Sequence, residues 1–196
     1  MSENKSWEYK NYEEYVECQI KRHKAKSYYH MTQRYYEEIF LKFEKYFTLD
    51  PKIQTIIAQG VRNDFEVDAI SSINSGVEVY GTDINYENTY KNIFKLDFNK
   101  CPKGWNKKFD LLFSNSFDHT PAPDLTLKEW KRITKKYMLI HFQYSEEASW
   151  HDPLALTSFD EIENLCKKQD LDILFCEETE ENSAMHHEGW LVLLKV

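Results

Sequence analysis

The stretch Thr55-Ile56-Ile57-Ala58-Gln59-Gly60-Val61-Arg62-Asn63-Asp64, followed by Val77-Glu78-Val79-Tyr80-Gly81-Thr82-Asp83, constrains this chain more than any other. Residues 52–58 are a short β-branched run with little charge, which suits a central strand buried on both faces of a parallel sheet. Gly60 provides a tight turn. Residues 64–74 then place Phe65, Ala69, Ile70 and Ile73 on one side of a helix, with Gly76 near its end. A second strand over residues 78–82 leads to Asp83. Strand, glycine turn, helix and acid-terminated strand is the order in which an α/β unit holds a nucleoside: the turn approaches the ligand and the carboxylate takes the ribose hydroxyls. The separation from Gly60 to Asp83 is close to the roughly 20 residues such a unit requires.

The pattern continues along the chain. Residues 92–96 read as a third strand ending at Asp97, and residues 107–114 as a fourth, carrying Phe109, Leu111, Leu112 and Phe113. A helix over residues 124–134 and a fifth strand over residues 137–142 follow. Ser158 looks like a helix N-cap with Glu161 three residues later, opening a helix that runs to about Lys168. Two apolar strands, residues 171–177 and 189–196, are joined by an acidic polar loop. With no helical pattern between them, they suit an antiparallel hairpin rather than another crossover. The expected fold is α/β: a Rossmann-like three-layer sandwich, its sheet mostly parallel with a C-terminal antiparallel hairpin.

At 196 residues the chain can bury a core without disulfides. Its four cysteines, Cys18, Cys101, Cys166 and Cys176, show no CxxC or CxxH spacing, so reduced thiols are expected. Nothing resembles HExxH or a paired ligand helix, and no metal is expected. The net charge of -8 argues against a broad nucleic-acid surface. The run Lys21-Arg22-His23-Lys24-Ala25-Lys26 reads as a solvated helix face. The polar N-terminus lacks an apolar leader core, and no apolar run approaches a membrane span, so a soluble cytoplasmic protein without membrane partners is expected.

Residues 1–48 hold Tyr9, Tyr12, Tyr15, Tyr28, Tyr29, Tyr35, Tyr36 and Tyr46, eight of the thirteen tyrosines. Tyr36, Phe40, Phe43 and Phe47 share one helical face before Leu49-Asp50-Pro51 breaks the helix. This segment reads as a helical, aromatic-rich unit that packs on the sheet, forms a lid over a ligand, or does both with different residues. Residues 49–196 form the α/β domain.

Four local motifs resemble those of the class I S-adenosylmethionine-dependent methyltransferases. Ala58-Gln59-Gly60-Val61-Arg62-Asn63 stands in place of the glycine-rich first motif, and Gly81-Thr82-Asp83-Ile84-Asn85 in place of the acidic loop after strand two. Leu96-Asp97-Phe98 sits where that family often puts a carboxylate near the adenine amine. Residues 109–119, ending Ser114-Asn115-Ser116-Phe117-Asp118-His119, are similar to the strand-four motif. The last of these also resembles small methyltransferase-like proteins of bacterial sugar and surface-glycan pathways. The resemblance implies S-adenosyl-L-methionine as cofactor, held by Gln59, Gly60, Arg62, Asp83, Ile84, Asp97, Phe98, Ser114 and Asn115. The main departure is the first motif, where Gln59 and Val61 flank a single glycine and Asn63 stands where a small residue often falls.

Methyl transfer needs donor and acceptor held in line with water excluded, so positioning supplies much of the rate. A hydroxyl acceptor also benefits from a general base, and histidine is the usual choice. His119, just past the fourth strand, is the candidate base, with Asp118 as its orienting or accepting partner; the competing reading is a pair that stiffens the loop. His151-Asp152 and His186-His187 are further candidates, because the tail segments before them can fold over the acceptor pocket, with an ordinary loop histidine as the preferred reading of each. His141 reads as a hydrogen-bonded core histidine and Asp110 as structural. The expected acceptor is a small molecule, with a sugar or nucleotide sugar as the first class to consider, methylated on oxygen. Oligomeric state is left open.

Three rival functions follow from the same residues. A nicotinamide-dependent reductase lacks a Tyr-x-x-x-Lys pair here, and a nucleic-acid adenine methyltransferase would carry Asn/Asp-Pro-Pro-aromatic where Asn115-Ser116-Phe117-Asp118 stands. A non-catalytic cofactor sensor or partner subunit draws support from the thinned glycine motif.

Overall fold

The computed structural model describes residues 6–25, 39, 53–61, 65–73, 76–87, 92–179 and 188–196. The expected aromatic face at Tyr36, Phe40, Phe43 and Phe47, the Leu49-Asp50-Pro51 break, Arg62, Asn63 and the His186-His187 pair lie outside them.

Helix α1 spans Tyr12–Ala25. The sheet then builds from β1 (Thr55–Gln59), α2 (Phe65–Ile73), β2 (Glu78–Asp83) and β3 (Ile93–Lys95). It continues through β4 (Phe109–Ser114), α3 (Pro123–Ile133) and β5 (Thr134–Gln143), and ends with α4 (Phe159–Lys168), β6 (Asp172–Thr179) and β7 (Gly189–Lys195). The seven strands lie in the order β3-β2-β1-β4-β5-β7-β6. β1 pairs in parallel with both β2 and β4, while β7 runs antiparallel between β5 and β6. The seven expected strands are present, as are the helices expected over residues 64–74, 124–134 and 158–168, with ends shifted by a few residues; β5 begins three residues before its expected start.

The side-chain alternation of the strands divides the core in two. Ile56, Ala58, Leu111, Phe113, Leu139, Leu191 and Leu193 face the layer that contains Val67, Ala69 and Ile70 of α2. Ile57, Leu112, Met138, Ile140, Phe142, Val192 and Leu194 face Leu127, Trp130 and Ile133 of α3 and Ile162, Leu165 and Cys166 of α4. This is the three-layer sandwich. Phe109 joins the second set although it stands two residues from Leu111, because the β4–β5 register shifts between those residues.

Local chemistry fixes the ends of the elements. The backbone N–H groups of Thr157 and Ser158 donate to Glu161 Oε2 at 2.7 and 3.3 Å, anchoring the start of α4. Asp110 accepts from the backbone N–H groups of Gln54 and Thr55 at 2.9 and 3.0 Å and pairs with Lys135 Nζ at 3.2 Å. Burial raises its proton affinity, but these hydrogen bonds outweigh it and hold the carboxyl below its ordinary range. His141 is 2% exposed and meets Thr179 Oγ1 at 3.0 Å, as a satisfied core histidine should. No helix among the described residues is long and apolar enough to cross a membrane.

Strand order reverses between β1 and β4, which opens a crevice at their C-terminal ends where open α/β sheets bind ligands. The N-terminal segment runs over that edge. Ser6 bridges to Leu154, Trp7 N–H donates to the Pro153 carbonyl at 2.7 Å, and Tyr9 Oη donates to the Trp150 carbonyl at 2.7 Å.

Candidate functional site

The turn after β1 is built around Gly60, whose φ is +78°. A Cβ there would lie 2.7 Å from Ser116 Cβ and 2.8 Å from its Oγ, so glycine is required both by backbone conformation and by close approach. The N–H groups of Gly60 and Val61 both donate to the Thr82 carbonyl at 2.9 Å, drawing the turn onto the end of β2. Gln59 is 1% exposed; its amide oxygen accepts from the Thr82 hydroxyl and its Nε2 lies 3.7 Å from Cys101 Sγ. Its side chain is thus committed to the interior. Ser114 is equally committed: its Oγ donates to the Gln59 carbonyl at 3.0 Å and accepts from Ser116 N–H at 3.1 Å, tying β1 to β4. Asn115 Oδ1 accepts from Ser116 Oγ at 3.3 Å.

Asp83 ends β2 with its carboxylate buried. Its Oδ1 accepts from Asn85 N–H at 2.7 Å and faces His23 Nδ1 of α1 at 3.2 Å. Ile84 beside it is half-buried. Asp97, past β3, accepts from Asn99 N–H at 2.9 Å and Asn99 Nδ2 at 3.0 Å through Oδ1, and from the Tyr12 hydroxyl through Oδ2. Burial first, then the Asp97 contact, pushes the Tyr12 phenol well above its ordinary value, so it stays a neutral donor. Phe98 packs edge-on against Trp130, and its carbonyl accepts from Trp130 Nε1 at 3.1 Å.

Phe117–His119 form a short 3₁₀ turn after β4. Asp118 and His119 are brought together with Asp152 of the His151-Asp152 pair. His119 Nδ1 lies 3.0 Å from Asp152 Oδ1, against 3.8 Å from Asp118 Oδ2. Asp152, not Asp118, is within hydrogen-bond distance of the ring. Leu154 N–H donates to the Asp118 carbonyl at 3.1 Å and locks the two loops together. Asp118 itself is 5% exposed, and its Oδ1 has no hydrogen-bond partner among the described residues. Burial raises the proton affinity of Asp152, but the hydrogen bond from His119 and the charges of His119, Arg22 and His151 outweigh it and hold the carboxyl well below the usual range.

The basic run of α1 is not simply a solvated face. Lys21 and Lys24 are exposed, but the Arg22 side chain is only 11% exposed and reaches the cluster. Its Nη1 donates to Asp152 Oδ1 and to the His151 carbonyl at 2.8 Å, and lies 3.0 Å from His119 Nε2. Asp118, His119 and Asp152 have the composition of a cation site, with ligand atoms within 4.8 Å of one another. The positive charge beside them is the guanidinium of Arg22.

No protein-family model matches the chain, and no curated protein matches it in sequence. Solved structures do match in fold. An S-adenosylmethionine-dependent methyltransferase from Aquifex aeolicus superposes with a TM-score of 0.58 at 20% identity, over 79% of this chain and 88% of that one. Magnesium protoporphyrin IX methyltransferase from Synechocystis PCC 6803, with S-adenosylmethionine bound, gives 0.57 at 11% identity over 96% and 86%. The Burkholderia thailandensis 1,6-didemethyltoxoflavin N1-methyltransferase, with S-adenosylhomocysteine bound, gives 0.58 at 11% over 83% and 87%. The fold is that of the class I S-adenosylmethionine-dependent methyltransferases.

Proposed function

We propose that this chain is an S-adenosyl-L-methionine-dependent methyltransferase acting on a small hydroxyl-bearing acceptor. The observation that carries the reading is the placement of His119 and Asp118 beside the crevice, with His119 held by Asp152 and a buried Asp118 oxygen lacking a partner among the described residues. Buried carboxylate oxygens are almost always hydrogen-bonded. A hydroxyl of the acceptor would complete Asp118.

The residues fit the cofactor in two respects. Gly60 brings backbone to the crevice where any Cβ would strike Ser116, and Asp83 puts a carboxylate at the end of β2 for the ribose hydroxyls. Asp97 and Phe98 would border the adenine, and Ser114 and Asn115 the methionine end. Arg62 is assigned to the same site from the sequence resemblance. When bound, the cofactor supplies an electrophilic methyl group on a sulfonium.

The chain's own part is positioning and proton removal. An Nδ1–H donated to Asp152 fixes the tautomer of His119 and leaves Nε2 as the accepting nitrogen. The proton of the acceptor hydroxyl passes to Nε2 as its oxygen takes the methyl group, and no covalent enzyme intermediate is needed. Sugars and nucleotide sugars are the first acceptors to screen, because their several hydroxyls could meet both Asp118 and His119. A screen by mass spectrometry for gain of one methyl group tests the reading. Transfer that survives His119→Ala at the wild-type rate would remove His119 from the mechanism.

A second reading, a cofactor sensor without catalysis, is favoured by the single glycine of the first motif and by the contact of His23 with Asp83. The fold does not fix the reaction: SpnF, a [4+2]-cyclase, superposes with a TM-score of 0.57. Binding of cofactor with no acceptor consumed across the screen would select the sensor.

A further inference from the structure

We infer that helix α1 is a strap that gates the cofactor and acceptor halves of the crevice together; the inference rests on the function proposed above. One face of α1 carries Tyr12, Tyr15, Gln19, Arg22 and His23, spaced i, i+3, i+7, i+10 and i+11, so they line up along three turns, about 16 Å. Every one of them meets a polar group at the C-terminal rim of the sheet or the loops beyond it. Tyr12 donates to Asp97, and Tyr15 Oη accepts from Asn99 Nδ2 at 2.9 Å. Gln19 Nε2 donates to the His151 carbonyl at 3.2 Å, Arg22 holds Asp152 and His119, and His23 faces Asp83.

These contacts fall on the atoms that the proposed chemistry needs. An ionised carboxylate offers about four lone-pair sites. Asp97 already uses three, on Asn99 N–H, Asn99 Nδ2 and Tyr12. Asp83 Oδ1 is taken by Asn85 N–H and His23, so a bidentate grip on two ribose hydroxyls requires His23 to leave. Arg22 Nη1 contacts both ring nitrogens of His119. The guanidinium thereby fills the space at the ring nitrogens that an acceptor hydroxyl would have to enter.

Because the five side chains share one rigid helix, releasing His23 from Asp83 also draws Arg22 away from His119. Nucleoside entry thereby uncovers the base, which makes cofactor binding precede proton removal. The strapped state lowers apparent cofactor affinity by the fraction of molecules that are open.

The test is calorimetric titration of the full chain with S-adenosylhomocysteine, in wild type, Arg22→Gln and His23→Gln, with hydrogen exchange of the α1 amides. Arg22 touches neither nucleoside carboxylate, yet Arg22→Gln is expected to bind about tenfold more tightly, as removal of the closed-state term allows. The α1 amides of wild type should exchange faster when ligand is added. Binding by Arg22→Gln but not by wild type supports the strap equally. Unchanged or weaker binding by both variants, or α1 amides that slow on ligand addition, overturns the strap and leaves the proposed function standing. No binding by any of the three proteins overturns the nucleoside reading, and the strap with it.

Discussion

His119 Nδ1 and Asp152 Oδ1 lie 3.0 Å apart, joining the loop after β4 to the loop after β5. In the proposed mechanism this carboxylate is the orienting partner of the ring, accepting from Nδ1–H so that Nε2 is the nitrogen left to accept a proton. Asp152→Asn keeps the shape and removes the charge. Its kcat should fall by about 10²-fold, the lower range for general-base catalysis, with KM for the acceptor changed far less. Affinity for S-adenosylhomocysteine should not fall, and it should rise if the strap operates, because Asp152→Asn also removes the ion pair with Arg22. A variant that loses cofactor affinity and kcat together would make Asp152 a structural residue only.

The same carboxylate sets an acid limit on stability. Asp152 is held below its ordinary value by His119, Arg22 and His151. A depressed folded-state value means that the stabilisation is fully present above the unfolded carboxyl value near about 3.9 and is lost as pH falls through the folded value. Denaturant unfolding of wild type and Asp152→Asn should therefore differ by a constant amount above about pH 5. The gap should narrow steadily below about pH 4. A gap that widens on acidification would contradict the assignment.

Gly60 stands at a left-handed φ of +78° with Ser116 against it. Gly60→Ala should cost at least about 1–2 kcal/mol from the backbone alone, lowering Tm by roughly 2–8 °C for a chain of this size. Ser116→Gly removes the clash but not the backbone cost. The loss caused by Gly60→Ala should thus be smaller in a Ser116→Gly background, and a double-mutant cycle measures the difference. Additive losses would show that the close approach is not felt.

Cys101 and Cys166 are buried, and burial pushes both thiols up to about 12. A thiol with so high a value stays protonated and unreactive at pH 8. Ellman's reagent should find no more than two of the four thiols in the native protein, at Cys18 and Cys176, and all four after unfolding. Rapid native titration of more than two would contradict the packing around Cys101 or Cys166.

The sheet was legible because buried parallel strands leave short apolar runs with little charge, as Thr55–Gln59 does and as residues 111–113 do within Phe109–Ser114. The capping pair Ser158 and Glu161 marked the start of α4 for a similarly local reason. The Arg22–Asp152 contact was not legible, since 130 residues separate the partners and no period relates them. A signal did exist in α1. A helix whose aligned face carries Tyr12, Tyr15, Gln19, Arg22 and His23 has polar tips to satisfy, and Tyr15 and Gln19 are 2% and 7% exposed. Reading the basic run by its charge alone hid that face. Asp118 was favoured over Asp152 because it adjoins His119 in sequence, whereas the 3₁₀ turn at Phe117–His119 sets its carboxylate 3.8 Å from the ring nitrogen.

In the proposed site Asp83, at the end of β2, holds the ribose of S-adenosyl-L-methionine. Calorimetric titration of S-adenosylmethionine and S-adenosylhomocysteine into wild type and Asp83→Ala tests it most directly. Wild type should show saturable one-to-one binding, weakened at least about tenfold in the variant, as expected when a charge-assisted hydrogen-bond acceptor of about 1.5–3 kcal/mol is removed. Equal affinity in the two proteins, or no binding to wild type, would contradict it.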